Sequence, residues 1–88
     1  KLGEKNGKWT YYHANGKKKR LENYRLGEKN GKLTVWFENG QKEREEAYKN
    51  DEKHGKWTYW FENGRLDKEE KYTNGVQTDG KHYDYFDN

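Results

Sequence analysis

The chain repeats itself every 24 residues: residues 2–25 (LGEKNGKWTYYHANGKKKRLENYR) align without gaps to 26–49 (LGEKNGKLTVWFENGQKEREEAYK) and to 50–73 (NDEKHGKWTYWFENGRLDKEEKYT). A fourth, incomplete copy runs over 74–88 with one extra residue near Thr78. A fixed period of this size means that each copy is one supersecondary unit, unable to bury its apolar face alone and stabilised by its neighbours. The expectation is a single repeat domain over 1–88. Lys1 is in phase with Arg25 and Asn88 with Asn63, so the chain reads as a segment of a longer array.

Each copy holds two short runs flanking an Asn-Gly pair: Asn15-Gly16, Asn39-Gly40 and Asn63-Gly64. Asn-Gly between alternating segments signals a hairpin, because a two-residue type I′ turn needs positive φ at both central residues. In the second unit that turn predicts Phe37 opposite Lys42, Trp36 opposite Glu43, Val35 opposite Arg44, Leu33 opposite Glu46 and Gly31 opposite Tyr48. Equivalent pairs are Trp9 with Glu22, Gly7 with Tyr24, Trp57 with Glu70 and Gly55 with Tyr72. A second turn, at Leu26-Gly27, Asn50-Asp51 and Asn74-Gly75, joins one hairpin to the next. Taken as two residues, it sets Glu22 opposite Gly31 and Arg20 opposite Leu33. The extra residue at Thr78 would reverse side-chain parity unless a bulge absorbs it, and a bulge is predicted there. No segment carries a 3.6-residue apolar period. The predicted fold is all-β: tandem antiparallel β-hairpins in an elongated, twisted, single-layer meander of seven or eight strands.

Composition alone would argue against this, since 40% of residues are charged and Leu, Val and Phe together number ten, with no Ile. The fifteen aromatic residues decide the matter. They recur at fixed phase, and each buries a large area without a thick core. Period-2 alternation puts Trp9, Tyr11, Tyr24, Leu33, Val35, Phe37, Tyr48, Trp57, Tyr59, Phe61 and Tyr72 on one face. The other face carries a sparser row, Tyr12, Trp36, Trp60 and Tyr85, flanked by Thr10, Thr34 and Thr58. Equivalent strands lie about 9.6 Å apart, and exposed aromatic rows mark partner sites. These four residues are the candidate partner-binding surface, unless the stems of Lys19, Lys56 and neighbouring side chains cover them.

Catalysis needs one constellation in one place, whereas residues present in every unit build the unit. Glu22, Glu46 and Glu70 are therefore read as a structural ladder paired with Arg20, Arg44 and Lys68. His13, His54 and His82 fall at different phases, and with no Cys in the chain no metal site is expected. Ser is absent as well, which removes serine nucleophile chemistry. The glycines precede strands rather than helices and form no phosphate-binding loop. The reading is a non-catalytic protein without a cofactor. No apolar run approaches the ~20 residues of a membrane-spanning helix.

The net charge of +3 divides as +6 over 1–25, zero over 26–49, −1 over 50–73 and −2 over 74–88. This gradient permits head-to-tail attraction between chains. Lys17, Lys18, Lys19 and Arg20 form the densest basic run and are the candidate residues for an anionic ligand such as a phospholipid headgroup. The acidic C-terminal half argues against a continuous nucleic-acid groove.

The unit, G-K-W-T-Y-Y/W-x-x-N-G-x5-E-x-Y, resembles the MORN repeat, and more closely its bacterial variant in YwqK-type, antitoxin-like proteins. The resemblance rests on Gly7, Trp9, Tyr12, Asn15, Gly16, Glu22 and Tyr24 with their counterparts in the next two units. The departures are Leu33 and His82 at the Trp position and Asp51 at a turn glycine. What the resemblance implies is an elongated stack of β-hairpins acting in protein interaction, with phospholipid binding among eukaryotic relatives. An antitoxin, immunity-like or surface-interaction role in a bacterium follows on the same basis, in the cytoplasm or at the cell surface. The string NGKWTYY also resembles choline- and glucan-binding cell-wall repeats, in which aromatic residues cage a quaternary ammonium.

Overall fold

The computed structural model describes residues 5–85, so residues 2–4 of the first unit and 86–88 of the fourth lie outside the described residues. Nine strands form one antiparallel sheet: β1 (Gly7–Tyr12), β2 (Lys18–Arg25), β3 (Glu28–Lys29), β4 (Gly31–Trp36), β5 (Lys42–Lys49), β6 (Glu52–Lys53), β7 (Gly55–Trp60), β8 (Leu66–Thr73) and β9 (Val76–His82). Their spatial order is β1-β2-β4-β5-β7-β8-β9, with the two-residue strands β3 and β6 pairing only to β2 and β5. The sheet measures 57 × 37 × 10 Å. All nine strands of the described residues belong to this one sheet, so the meander is a single layer, as the repeat predicts.

The hairpin pairings away from the tips are those expected from the sequence: Gly31 with Tyr48, Leu33 with Glu46 and Val35 with Arg44. The tips differ. Trp36 pairs with Lys42, not Glu43, and the Phe37 amide bonds to the Gln41 carbonyl rather than facing Lys42. The Gly40 amide returns to the Phe37 carbonyl at 3.0 Å, and Gly40 alone in this turn has positive φ, +93°. This is a three-residue loop ending on a left-handed glycine, not a type I′ turn. Glu43 is the bulged residue that restores the register, as Lys19 and Asp67 are in the flanking units.

The double positive φ of a type I′ turn occurs instead between hairpins, at Leu26 and Gly27 (51°, 82°), Asn50 and Asp51 (50°, 68°), and Asn74 and Gly75 (47°, 85°). The register after the first of these turns also corrects the expectation. Arg20 pairs with Val35 rather than Leu33, so Glu22 does not face Gly31. The slip is two residues, with the Asn30 amide held by the Asn23 carbonyl, and an even slip leaves every side chain on its face. A bulge does occur at Thr78, between the pairs Tyr72–Gln77 and Lys71–Asp79.

Adjacent hairpins are stitched at both ends. At the tips, Asn15 Nδ2 donates to the Glu38 carbonyl and Asn39 Nδ2 to the Glu62 carbonyl, each at 2.9 Å. At the opposite ends, the amides of Gly27, Asp51 and Gly75 donate to the carbonyls of Lys5, Lys29 and Lys53. The core between these seams is small: Leu33, Val35 and Trp57 on the dense face, with relative exposures of 1%, 9% and 3%.

Candidate functional site

The dense face is a repeated cluster of one carboxylate, one cation and one phenol. Tyr24 donates its hydroxyl to Glu22 at 2.7 Å, Tyr48 to Glu46 and Tyr72 to Glu70 at 2.9 Å. The other carboxylate oxygen meets Arg20 Nε at 2.5 Å, Arg44 Nε at 2.6 Å and Lys68 Nζ at 3.7 Å. The expected pairing of Glu22, Glu46 and Glu70 with Arg20, Arg44 and Lys68 is thus present in all three units. Spacing explains it: residues two apart share a face, so Arg-x-Glu-x-Tyr lines up along one strand.

Above each cluster lies a lysine that sequence reasoning missed. Lys5 Nζ stands 4.7 Å from the Trp9 ring centre and 4.8 Å from Tyr24, Lys29 5.0 Å from Tyr48, and Lys53 4.6 Å from Trp57 and 4.9 Å from Tyr72. The signal was available, because these lysines recur at one phase in Glu-Lys-x-Gly-Lys. These aromatic surfaces already hold ammonium groups of the chain itself.

These contacts move the phenols. Donation to Glu22 raises the Tyr24 pKa to about 12, burial and then Glu46 raise that of Tyr48, and burial and then Glu70 raise that of Tyr72. Burial, with the Glu70 charge, also takes Tyr59 to about 12. Below the ordinary value of 10.0 these hydroxyls are protonated in both folded and unfolded chains and their contribution to stability is complete. Above it the unfolded chain releases protons that the folded sheet retains, so stability falls as pH rises from 10.0 towards the folded values. Alkaline titration should therefore show the tyrosinate absorbance of these residues rising together with loss of the β-sheet circular dichroism. Their titration near pH 10.0 with the sheet intact would contradict the ladder.

The opposite face carries the aromatic row. Tyr12 is 60% exposed; Trp36 and Trp60 are half-buried and line one shallow groove with Gly40, Gln41, Lys42 and Gly64. Their partial cover comes from Lys18, 5.9 Å from the Trp36 ring centre, and Lys42, 5.9 Å from Trp60, rather than from Lys19 or Lys56. Lys56 instead pairs with Glu69 at 2.6 Å, and this contact, with a hydrogen bond from Tyr83, holds the Glu69 carboxyl below its usual range. Tyr85 is 45% exposed but stands apart from the groove, its ring centre 6.3 Å from Phe61 and its hydroxyl on the Leu66 carbonyl. Strand β9 ends at His82, and Tyr83 as well as Tyr85 reaches back to β8, through Glu69.

The basic run does not form one patch. Lys17 Nζ reaches the Asn39 carbonyl at 3.5 Å and Lys18 lies over Trp36, whereas Lys19 and Arg20 line a groove with Tyr11 and Glu22 on the other face, where Arg20 is committed to Glu22. The histidines are equally dispersed. His13 Nε2 is 2.9 Å from the Trp36 carbonyl, His54 Nδ1 accepts from the Asn74 amide, and His82 pairs with Lys68 across the sheet. Among the described residues no cluster of three metal-ligating side chains occurs.

A family model described as "MORN repeat variant" matches the chain three times, over residues 5–25, 29–50 and 53–74. No curated protein and no solved structure matches the chain.

Proposed function

Because the chain belongs to the MORN repeat variant family, we propose that it is a non-catalytic scaffold that binds a protein partner through its open aromatic face. Repeats of this family are non-enzymatic and often serve as modules for protein or membrane-lipid interaction. The observation that carries the reading is the groove between Trp36 and Trp60 on a face that no second layer covers among the described residues. Paired indoles in such a groove supply a rigid apolar contact, and the lysines at their edges supply a polar rim. An antitoxin, immunity-like or surface-interaction role uses this one property.

The lipid reading through Lys17, Lys18, Lys19 and Arg20 draws less support, because the four cations are divided: Lys17 and Lys18 are engaged at Asn39 and Trp36, whereas Lys19 and Arg20 line a groove that also holds Glu22. A choline-type ligand would have to displace the lysines already seated against the dense-face rings. The test is the double substitution Trp36→Ala with Trp60→Ala. It should abolish pull-down of the protein partner while the circular dichroism spectrum stays that of a sheet; undiminished capture by the folded variant would remove the aromatic-row reading.

A further inference from the structure

Tyr12, Trp36 and Trp60 are the last strand residues before equivalent hairpin tips, all on one face. Successive rings are two strands apart, about 9.6 Å at the usual interstrand spacing. One lysine stands at each following ring, Lys18 at Trp36 and Lys42 at Trp60, with the same 5.9 Å from nitrogen to ring centre. The surface therefore alternates ring and cation at the period of the repeat. Both lysines are exposed. Lys18 has no carboxylate partner among the described residues, and Lys42 has a 3.1 Å pairing with Glu45. An exposed ion pair of that kind contributes little, so an incoming carboxylate exchanges for it readily.

A polypeptide that engages successive sites must present the same face at that spacing. An extended β-strand advances about 10 Å in three residues, but residues three apart point to opposite sides. An α-helix returns nearly the same face after seven residues, a rise of about 10.5 Å, so it falls about 1 Å further out of step at each successive ring. A polyproline-II helix advances about 9.3 Å in three residues and returns the same face each time. It is also largely preformed, which reduces the ordering cost of binding.

We infer that the row takes an extended polyproline-II segment of an acidic, proline-rich protein. Carboxylates at every third residue meet Lys18 and Lys42, and the intervening prolines lie against Tyr12, Trp36 and Trp60. This rests on the scaffold reading above and names the chemistry of its partner. The acidic preference follows from charge complementarity, since residues 1–25 carry a net +6.

The probe is a fluorescent peptide of repeated Glu-Pro-Pro triplets, titrated by anisotropy against the full chain. Saturable binding is expected, with no further gain in affinity beyond about three polyproline-II turns, since the row offers three rings. Trp36→Ala with Trp60→Ala should weaken it by about tenfold or more, the usual cost of truncating an aromatic anchor. Lys18→Glu with Lys42→Glu, both at exposed positions, should do likewise while the circular dichroism spectrum stays that of a sheet. The inference fails if no saturable binding occurs, or if a peptide of shuffled Glu and Pro order binds equally well. It fails too if anionic phospholipid vesicles or polygalacturonate, rather than the peptide, show the tryptophan-dependent binding. Tryptophan-dependent capture of a protein partner without binding of this peptide would leave the scaffold reading standing and remove this one.

Discussion

Trp57→Ala is expected to destabilise the sheet by about 3–5 kcal/mol, the usual cost of deleting a buried aromatic side chain. Trp57 is 3% exposed and sits at the centre of the dense face. Its ring meets Tyr48 at 5.2 Å and Tyr72 at 5.4 Å, its indole N–H donates to the Ala47 carbonyl at 2.9 Å, and Lys53 lies above it. Alanine there removes the ring linking two hairpins and leaves the Ala47 carbonyl with the His54 amide as its remaining donor. The control is Trp9, which occupies the same repeat position in the first unit but lies on edge strand β1 at 40% exposure. Trp9→Ala should cost no more than about half as much, because less area is withdrawn from water. Chemical denaturation of the two variants checks this. Equal losses would mean that the repeat position, not burial between neighbours, sets the contribution.

The contrast between these two tryptophans marks how far the sequence could be read. The period and the alternation of side chains were legible, and with them the pairings of Leu33 with Glu46 and Val35 with Arg44. The tip geometry was not, although Asn39-Gly40 is among the clearest turn signals. Asn-Gly suits both a two-residue type I′ turn and a three-residue loop with a left-handed glycine. What all three tips share is a local contact, the Asn15, Asn39 and Asn63 Oδ1 atoms accepting from the amides of Lys17, Gln41 and Arg65, which goes with the three-residue loop. The pairings survived because the loop is one residue longer than assumed and the bulge at Glu43 shifts the partners back.

The turns between hairpins illustrate the opposite case. Leu26 has no local preference for positive φ, and no sequence rule puts it there. It is held at 51° by long-range contacts, its own amide on Asn6 Oδ1 and the Gly27 amide on the Lys5 carbonyl. The aromatic row was legible as a row up to Trp60. Its continuation to Tyr85 was not, because the inserted Thr78 changes the register of β9 and the strand ends at His82. Cover by Lys18 and Lys42 depends on the bulge that places Lys18 opposite Tyr12 and Lys42 opposite Trp36, which alternation alone would not give.

Glu46→Ala should destabilise the chain by about 3 kcal/mol, near the lower end for breaking a buried ion pair because Arg44 keeps partial access to water. Glu46 is 7% exposed, and one carboxylate accepts from Tyr48 while pairing with Arg44. Its loss takes the partner from Arg44 Nε and the acceptor from the Tyr48 hydroxyl, while Arg44 Nη1 keeps its 3.2 Å contact with Glu43. Glu46→Gln keeps the shape and an acceptor for Tyr48 but removes the charge, so it should cost less than Glu46→Ala. The decisive measurement is a double-mutant cycle with Arg44→Ala. If the carboxylate and guanidinium exist to satisfy each other, the double variant loses much less than the sum of the single losses. Additive losses would mean that Glu46 stabilises the sheet independently of Arg44. The outcome bears on function as well, since Glu22 and Glu70 are built the same way. A carboxylate whose energetic coupling is spent on its own strand is part of the scaffold, and the groups left to a partner are those whose exposed contacts can be exchanged, such as Lys42 beside Trp60.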